Sequence, residues 1–127
     1  MNTAATLLPT DLATELIAVK LHGPWTVDLR KDLLKRWDDA VQRHGRVRFL
    51  AEAQDQQAWE GLEKFFFLVR WLHLGQPVDQ RIALLAGWPL IDQAAGLLAV
   101  NTPNMQVRPF LLNQQKHAIN WLEQAEA

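Results

Sequence analysis

Arg81-Ile82-Ala83-Leu84-Leu85-Ala86 is the stretch that decides the fold. Its apolar residues run without alternation and stop at Gly87. A strand with one wet face shows a period of two. A near-continuous apolar run belongs to a strand buried on both faces, as in a parallel sheet between helices. Working outward, Val47–Ala53 (VRFLAEA) and Leu16–His22 (LIAVKLH, closed by Gly23-Pro24) read as two more strands. Gln106–Leu112 reads as a fourth, and Pro109 inside it predicts an edge position because proline cannot donate to a ladder. Ala4–Leu8 is a short leading strand, turned by Pro9-Thr10-Asp11.

Helical signals fill the gaps. Thr26 is a candidate N-cap, Asp28 lies in the first turn, and Leu29, Leu33, Leu34, Trp37, Ala40 and Val41 follow at helical spacing. Gly45 after His44 is the stop. Trp59–Leu74, WEGLEKFFFLVRWLHL, follows a polar loop at Gln54–Gln57 and ends at Gly75-Gln76-Pro77. Pro89 suits the first turn of a helix running as PLIDQAAGLLAV to Asn101, with Thr102-Pro103-Asn104 as breaker. Asn113 is placed to cap a last helix carrying Ala118, Ile119 and Leu122. The alternation predicts an α/β fold, a mostly parallel sheet of about four to five strands flanked by about four helices. The expected organisation is one domain over residues 1–127, with residues 1–14 as a loosely attached leading strand.

Composition excludes several function classes. Net charge is −1 and the pI is near 6.4, so no overall field recruits nucleic acid. Serine, cysteine and tyrosine are absent, and the only hydroxyls are Thr3, Thr6, Thr10, Thr14, Thr26 and Thr102. Serine and cysteine hydrolases are thereby excluded. Lack of cysteine fits a reducing cytoplasm. The amino-terminal residues lack the basic and apolar regions of a signal peptide. No apolar run reaches the roughly 18 residues of a spanning helix, because Glu63, Lys64, Arg70 and Asp92 interrupt the candidates.

Polar candidates carry little. His22, His44, His73 and His117 show no paired metal-ligand spacing, so no metal is expected. His44 reads as a cation in a last helical turn, and His73 as a satisfied, partly buried side chain. Asp38 and Asp39 are adjacent on a helix and point about 100° apart, so they do not form a catalytic pair. Glu52 and Asp55 stand near a strand's carboxyl end, where α/β folds gather ligands, but such residues are also routine loop chemistry. Gly87 and Gly96 are too far apart for a phosphate loop. Arg43, Arg46 and Arg48 form a local basic cluster that reads as a solubilising surface.

The apolar surplus says more. On a helical wheel Leu62, Phe65, Phe66, Val69 and Leu72 share an arc of about 120°, enough for a core-facing stripe. Phe67, Leu68, Trp71 and Leu74 fall outside it. The stretch at 89–100 repeats the pattern, with only Asp92 and Gln93 clearly polar. Two such helices cover each other, a second copy, a membrane surface or a greasy cleft. Gly61, Gly75, Gly87 and Gly96 would let the pair shift as a lid.

The chain resembles the SpoIIAA-like bacterial proteins, relatives of the STAS domain, with a more distant likeness to the CRAL-TRIO lipid-carrier fold. The resemblance rests on ELIAVKLHGPWT at 15–26, HGRVRFLAEAQD at 44–55, DQRIALLAGW at 79–88, and VRPFLL with AINWL within 107–122. It implies a small sheet with helices and a binding role. A partner-switching STAS antagonist uses a serine in a loop at the start of a sheet-flanking helix. The loops that would supply it here, Gln54–Ala58 and Gly87-Trp88-Pro89, hold no hydroxyl. Phosphorylation adds about −1.5 to −2 charges and flips partner choice, and these loops offer nothing to modify.

The expectation is a non-enzymatic, cofactor-free binding protein. The helices at 59–74 and 89–100 would gate an apolar site for a lipid-like molecule, lined by Trp59, Leu62, Phe66, Val69, Leu90, Ile91 and Leu98. Phe67, Leu68, Trp71 and Leu74 would meet a partner or membrane. The alternative is a protein-interaction module, homodimeric or regulator-binding, on the same surface. The expected place is the cytoplasm, with peripheral contact at the inner membrane face left open.

Overall fold

Five strands hydrogen-bond in chain order in the computed structural model, which describes residues 4–7, 16–73, 75–97, 102 and 104–124. They are β1 (Ala4–Leu7), β2 (Leu16–His22), β3 (Arg46–Ala53), β4 (Asp79–Ala86) and β5 (Met105–Leu111). β1 runs antiparallel to β2, and β2 through β5 are parallel. β5 is the far edge, where Pro109 faces no missing partner. The sheet therefore matches the expected class, with β4 at its interior.

A sequential parallel order with crossovers of one hand puts every crossover element on the same face. α1 (Val27–His44), α2 (Gln56–Leu72) and a 3-10 turn (Leu90–Gln93) share one core cluster with Ile17, Val19, Leu21, Phe49, Ile82 and Leu84. The opposite face is left to the last helix. α3 is the single turn Ala94–Leu97, and α4 (Gln115–Glu123) buries Ala118 and Leu122 against Ala18, Leu50, Ala83, Leu85 and Phe110. Alternation along each strand thus serves two cores, which explains the apolar run in β4.

Local chemistry sets the ends. Thr26 accepts from the Leu29 N–H at 3.0 Å, and Gly45 ends α1 with φ +67, a conformation glycine adopts without a Cβ clash. Two buried arginines fix α4. Arg48 donates to the Leu122 carbonyl at 2.8 Å and pairs with Asp79 at 2.7 Å. Arg81 donates to the carbonyls of Trp121 and Gln124, each at 3.0 Å. These cations meet the negative end of α4, where terminal carbonyls lack helical partners. Arg48 belongs to this cap rather than to a solubilising surface.

Three expected boundaries are corrected. The helix predicted at 89–100 is, within the described residues, the 3-10 turn followed by α3. Gly96 and the tight exit from β4 do not sustain a long crossover, and residues 98–101 lie outside the described set. α2 begins at Gln56 and not at Trp59, because Asp55 supplies the cap and draws Gln56 and Gln57 into the first turn. Asn113 does not cap the last helix. Leu112–Gln114 form a 3-10 turn, and the Gln114 side chain accepts from the Leu111 N–H at 2.8 Å.

Candidate functional site

Three parallel strands end side by side, and the chain leaves each into a different loop. β3 exits through Gln54 and Asp55, β4 through Gly87, Trp88 and Pro89, and β5 through Leu112. Asp55 organises the first exit. One carboxylate oxygen caps α2 by accepting from the Ala58 N–H at 2.9 Å. The other accepts from the Gly23 N–H at 2.7 Å, so a single side chain ties the turn after β2 to the start of α2. Gly23 has φ +76, a backbone shape glycine takes without strain. Trp25, in the same turn, donates its indole N–H to the Ala58 carbonyl at 3.2 Å and packs on Phe65 with ring centres 5.4 Å apart.

Between these exits lies a cleft of ≈ 570 Å³. Its walls are Glu52, Gln54 and Asp55 on one side and Trp88, Leu90 and Leu112 on the other. Gln56 and Gln93 exchange side-chain amide hydrogen bonds across its floor, joining α2 to the 3-10 turn. Trp88 is 69% exposed and Leu112 49% exposed, although both are large and apolar. A carboxyl-end crevice in a parallel sheet is the usual location of a ligand or partner site.

The chemistry of the lining suits binding better than reaction. Among the lining residues there is no hydroxyl, thiol or imidazole. Both Asp55 oxygens already accept backbone hydrogen bonds. Glu52 faces Lys20 at 3.6 Å and accepts from the Gln54 amide at 3.3 Å. No group of three or more histidine, aspartate or glutamate side chains among the described residues is arranged to hold a metal ion. The two loops singled out in sequence, Gln54–Ala58 and Gly87-Trp88-Pro89, meet at this cleft.

The residues assigned to an apolar gate go elsewhere. Trp59, Leu62, Phe66 and Val69 are fully buried and belong to the core between α2 and the sheet. Ile91 closes the same core, and Leu90 packs against its margin. Of the described members of that set only Leu90 borders the cleft, and Leu98 lies outside the described residues. Gly61, assigned to a lid, instead makes room for Trp25: a Cβ there would lie 2.0 Å from the indole. Phe67 and Trp71 are exposed on the outer side of α2, Leu68 is half-buried, and Leu74 lies outside the described residues. Leu72, placed in the core stripe by its spacing, is exposed at the frayed end of α2.

Trp88, Pro89, Gln93 and Leu112 were not singled out as contact residues by sequence. A tryptophan directly after the glycine that ends an internal strand was the available signal, since such a position leaves the core with the chain.

Comparison with known proteins bears on the same region. The family model described as SpoIIAA-like matches residues 16–123, spanning all four parallel strands and α4. No curated protein matches the chain. No solved structure matches it either, so the more distant likeness to CRAL-TRIO carriers gains no support. No described helix is long and apolar enough to cross a membrane.

Proposed function

The chain belongs to the SpoIIAA-like family, and from that premise we propose that it is a STAS-like interaction module that docks a protein partner at the carboxyl-end cleft, without a phosphorylation switch. The carrying observation is the pair Trp88 and Leu112, exposed on the rim of a cleft whose polar groups are already tied to the fold. Large exposed aromatic residues beside a pocket are the usual anchors of protein contacts.

The loops that would carry a regulatory serine hold none, so contact here is constitutive or controlled on the partner's side. Placing a photo-crosslinking residue at position 88, and separately at the exposed control position 30 on α1, tests the proposal. Discrete adducts at 88 that vanish with Leu112→Asp, and none at 30, are expected. Equal labelling at both positions, or none at 88, refutes it.

A second surface supports a second reading. Phe67 and Trp71 stand one helical turn apart and are 44% and 73% exposed. This face would serve a second copy of the chain or a membrane surface, the contacts that an apolar helix back allows. Light scattering on the wild type and on the double variant Phe67→Glu/Trp71→Glu separates them. A dimer that becomes a folded monomer supports self-association, and an unchanged monomer removes it. Hydrophobic small molecules would meet Trp88, Leu90 and Leu112, not the core residues of α2. A lipid that raises the melting temperature of wild type but not of Trp88→Ala would move the assignment from protein to lipid.

A further inference from the structure

At the amino end of the sheet, away from the cleft, a cavity of ≈ 270 Å³ lies between the end of α2 and the starts of β4 and β5. Arg70, His73, Gln80, Thr102, Asn104 and Met105 line it, and among the described lining residues there is no carboxylate. Arg70 is half-buried, and its Nε is shut off from solvent with no hydrogen-bond partner. A buried guanidinium N–H without an acceptor is costly, and a guanidinium is shaped to hold an oxyanion.

A second observation points the same way. The His73 side chain is only 8% exposed, and its Nε2 is buried without a hydrogen bond. Asp38 on α1 comes within 3.3 Å of Nε2, but the contact is not aligned for a hydrogen bond. Nδ1 lies 3.3 Å from Gln76 Oε1. Thr102 Oγ1 accepts from the N–H groups of Asn104 and Met105 at 3.3 and 3.0 Å, which leaves its own proton to donate. Asn104 donates one amide hydrogen to the Gln76 carbonyl at 3.1 Å.

We propose that this cavity binds a small oxyanion group, phosphate or carboxylate, with Arg70 as counter-charge and Thr102 as a further donor. The end of α2 opposes an anion with a partial charge of about −0.5. The full charge on Arg70 outweighs it, and the His73 N–H already takes the Val69 carbonyl at 3.1 Å.

The test is thermal unfolding of the full chain in sodium phosphate, in sodium acetate, and in sodium chloride of matched ionic strength. At about tenfold excess over Kd a specific anion raises the melting temperature by about 4 °C. The rise is expected in phosphate or acetate, and which of them acts identifies the group. Arg70→Gln abolishes it, whereas Arg30→Gln on the exposed side of α1 keeps it. Thr102→Val diminishes it and serves if Arg70→Gln does not fold. No anion-specific rise in the wild type, or an undiminished rise in the cavity variants, overturns the proposal.

Discussion

Replacing Gly61 with alanine isolates one contact under the cleft. In a helix interior this change ordinarily stabilises by about 0.8–1 kcal/mol, because alanine loses less backbone entropy. Here the new Cβ would lie 2.0 Å from Trp25 Cδ1 and 2.2 Å from its Nε1, so the indole must leave. It forfeits the hydrogen bond to the Ala58 carbonyl at 3.2 Å, a loss of about 1 kcal/mol. It also forfeits the ring contact with Phe65 at 5.4 Å, about 0.5–1.5 kcal/mol, and further packing. Overpacking adds about 1–3 kcal/mol where the ring cannot fully clear. After the helical gain, the net effect is a destabilisation of about 1.5–4.5 kcal/mol, or a fall in melting temperature of about 5–15 °C. Calorimetry and urea unfolding measure it. In a Trp25→Ala background the obstacle is gone, so the same substitution should stabilise by about 1 kcal/mol. A stabilised Gly61→Ala single variant, or the same sign in both backgrounds, refutes the reasoning.

Further tests address the supports around both ends of the sheet. Asp55→Ala removes the cap of α2 and orphans the Gly23 N–H, costing about 1–3 kcal/mol in urea unfolding, whereas Asp55→Asn retains an acceptor and loses less. Arg48→Met leaves the Asp79 carboxylate and the Leu122 carbonyl without their guanidinium, a loss of about 2–4 kcal/mol by the same measurement. Partial burial, then repulsion from Glu60, raises the Glu63 pKa above the ordinary glutamate value of 4.5. The native state therefore holds that proton more tightly than the unfolded chain, and stability from this group falls as pH rises through the window above 4.5. Glu63→Gln should flatten that part of the pH–stability curve, and an unchanged slope contradicts the assignment.

Much of the architecture was legible because the responsible signals are local. Thr26 and Gly45 bound α1 through their own backbone needs, and the RIALLA run marks a doubly buried strand whatever its neighbours are. The errors arose where a distant or competing partner decided the matter. Asp55 starts α2 early because it has both the Ala58 and the Gly23 N–H to satisfy, and the second lies 32 residues away in sequence. Pro89 suggested a long helix, but the connection from β4 settles into a 3-10 turn that drops Ile91 into the core.

The candidate site was legible only in parts. Sequence pointed to the loops at 54–58 and 87–89 and to carboxyl-end chemistry, but not to Leu112, which enters from the far strand. It also separated the two apolar faces of α2 but gave the inner one, with Trp59, Leu62, Phe66 and Val69, to a ligand. In the packing these four seal the core, while Phe67 and Trp71 remain outside. Arg70 read only as an interruption in an apolar helix, since nothing nearby in sequence shows that Thr102 and Asn104 close a cavity over it.

By itself, the sequence determined the alternation of strands and helices, the doubly buried β4, and the lack of any serine, cysteine or tyrosine for nucleophilic or phosphorylation chemistry. Those follow from side-chain identity and from interactions within a few residues. Tertiary structure alone decided that the inner stripe of α2 seals onto the sheet and lines no cleft, and that three strand ends meet at one cleft. Strand order and the placement of crossovers are set by contacts between residues far apart in the chain. Local periodicity marks the inner stripe of α2 but does not record whether sheet or ligand will meet it.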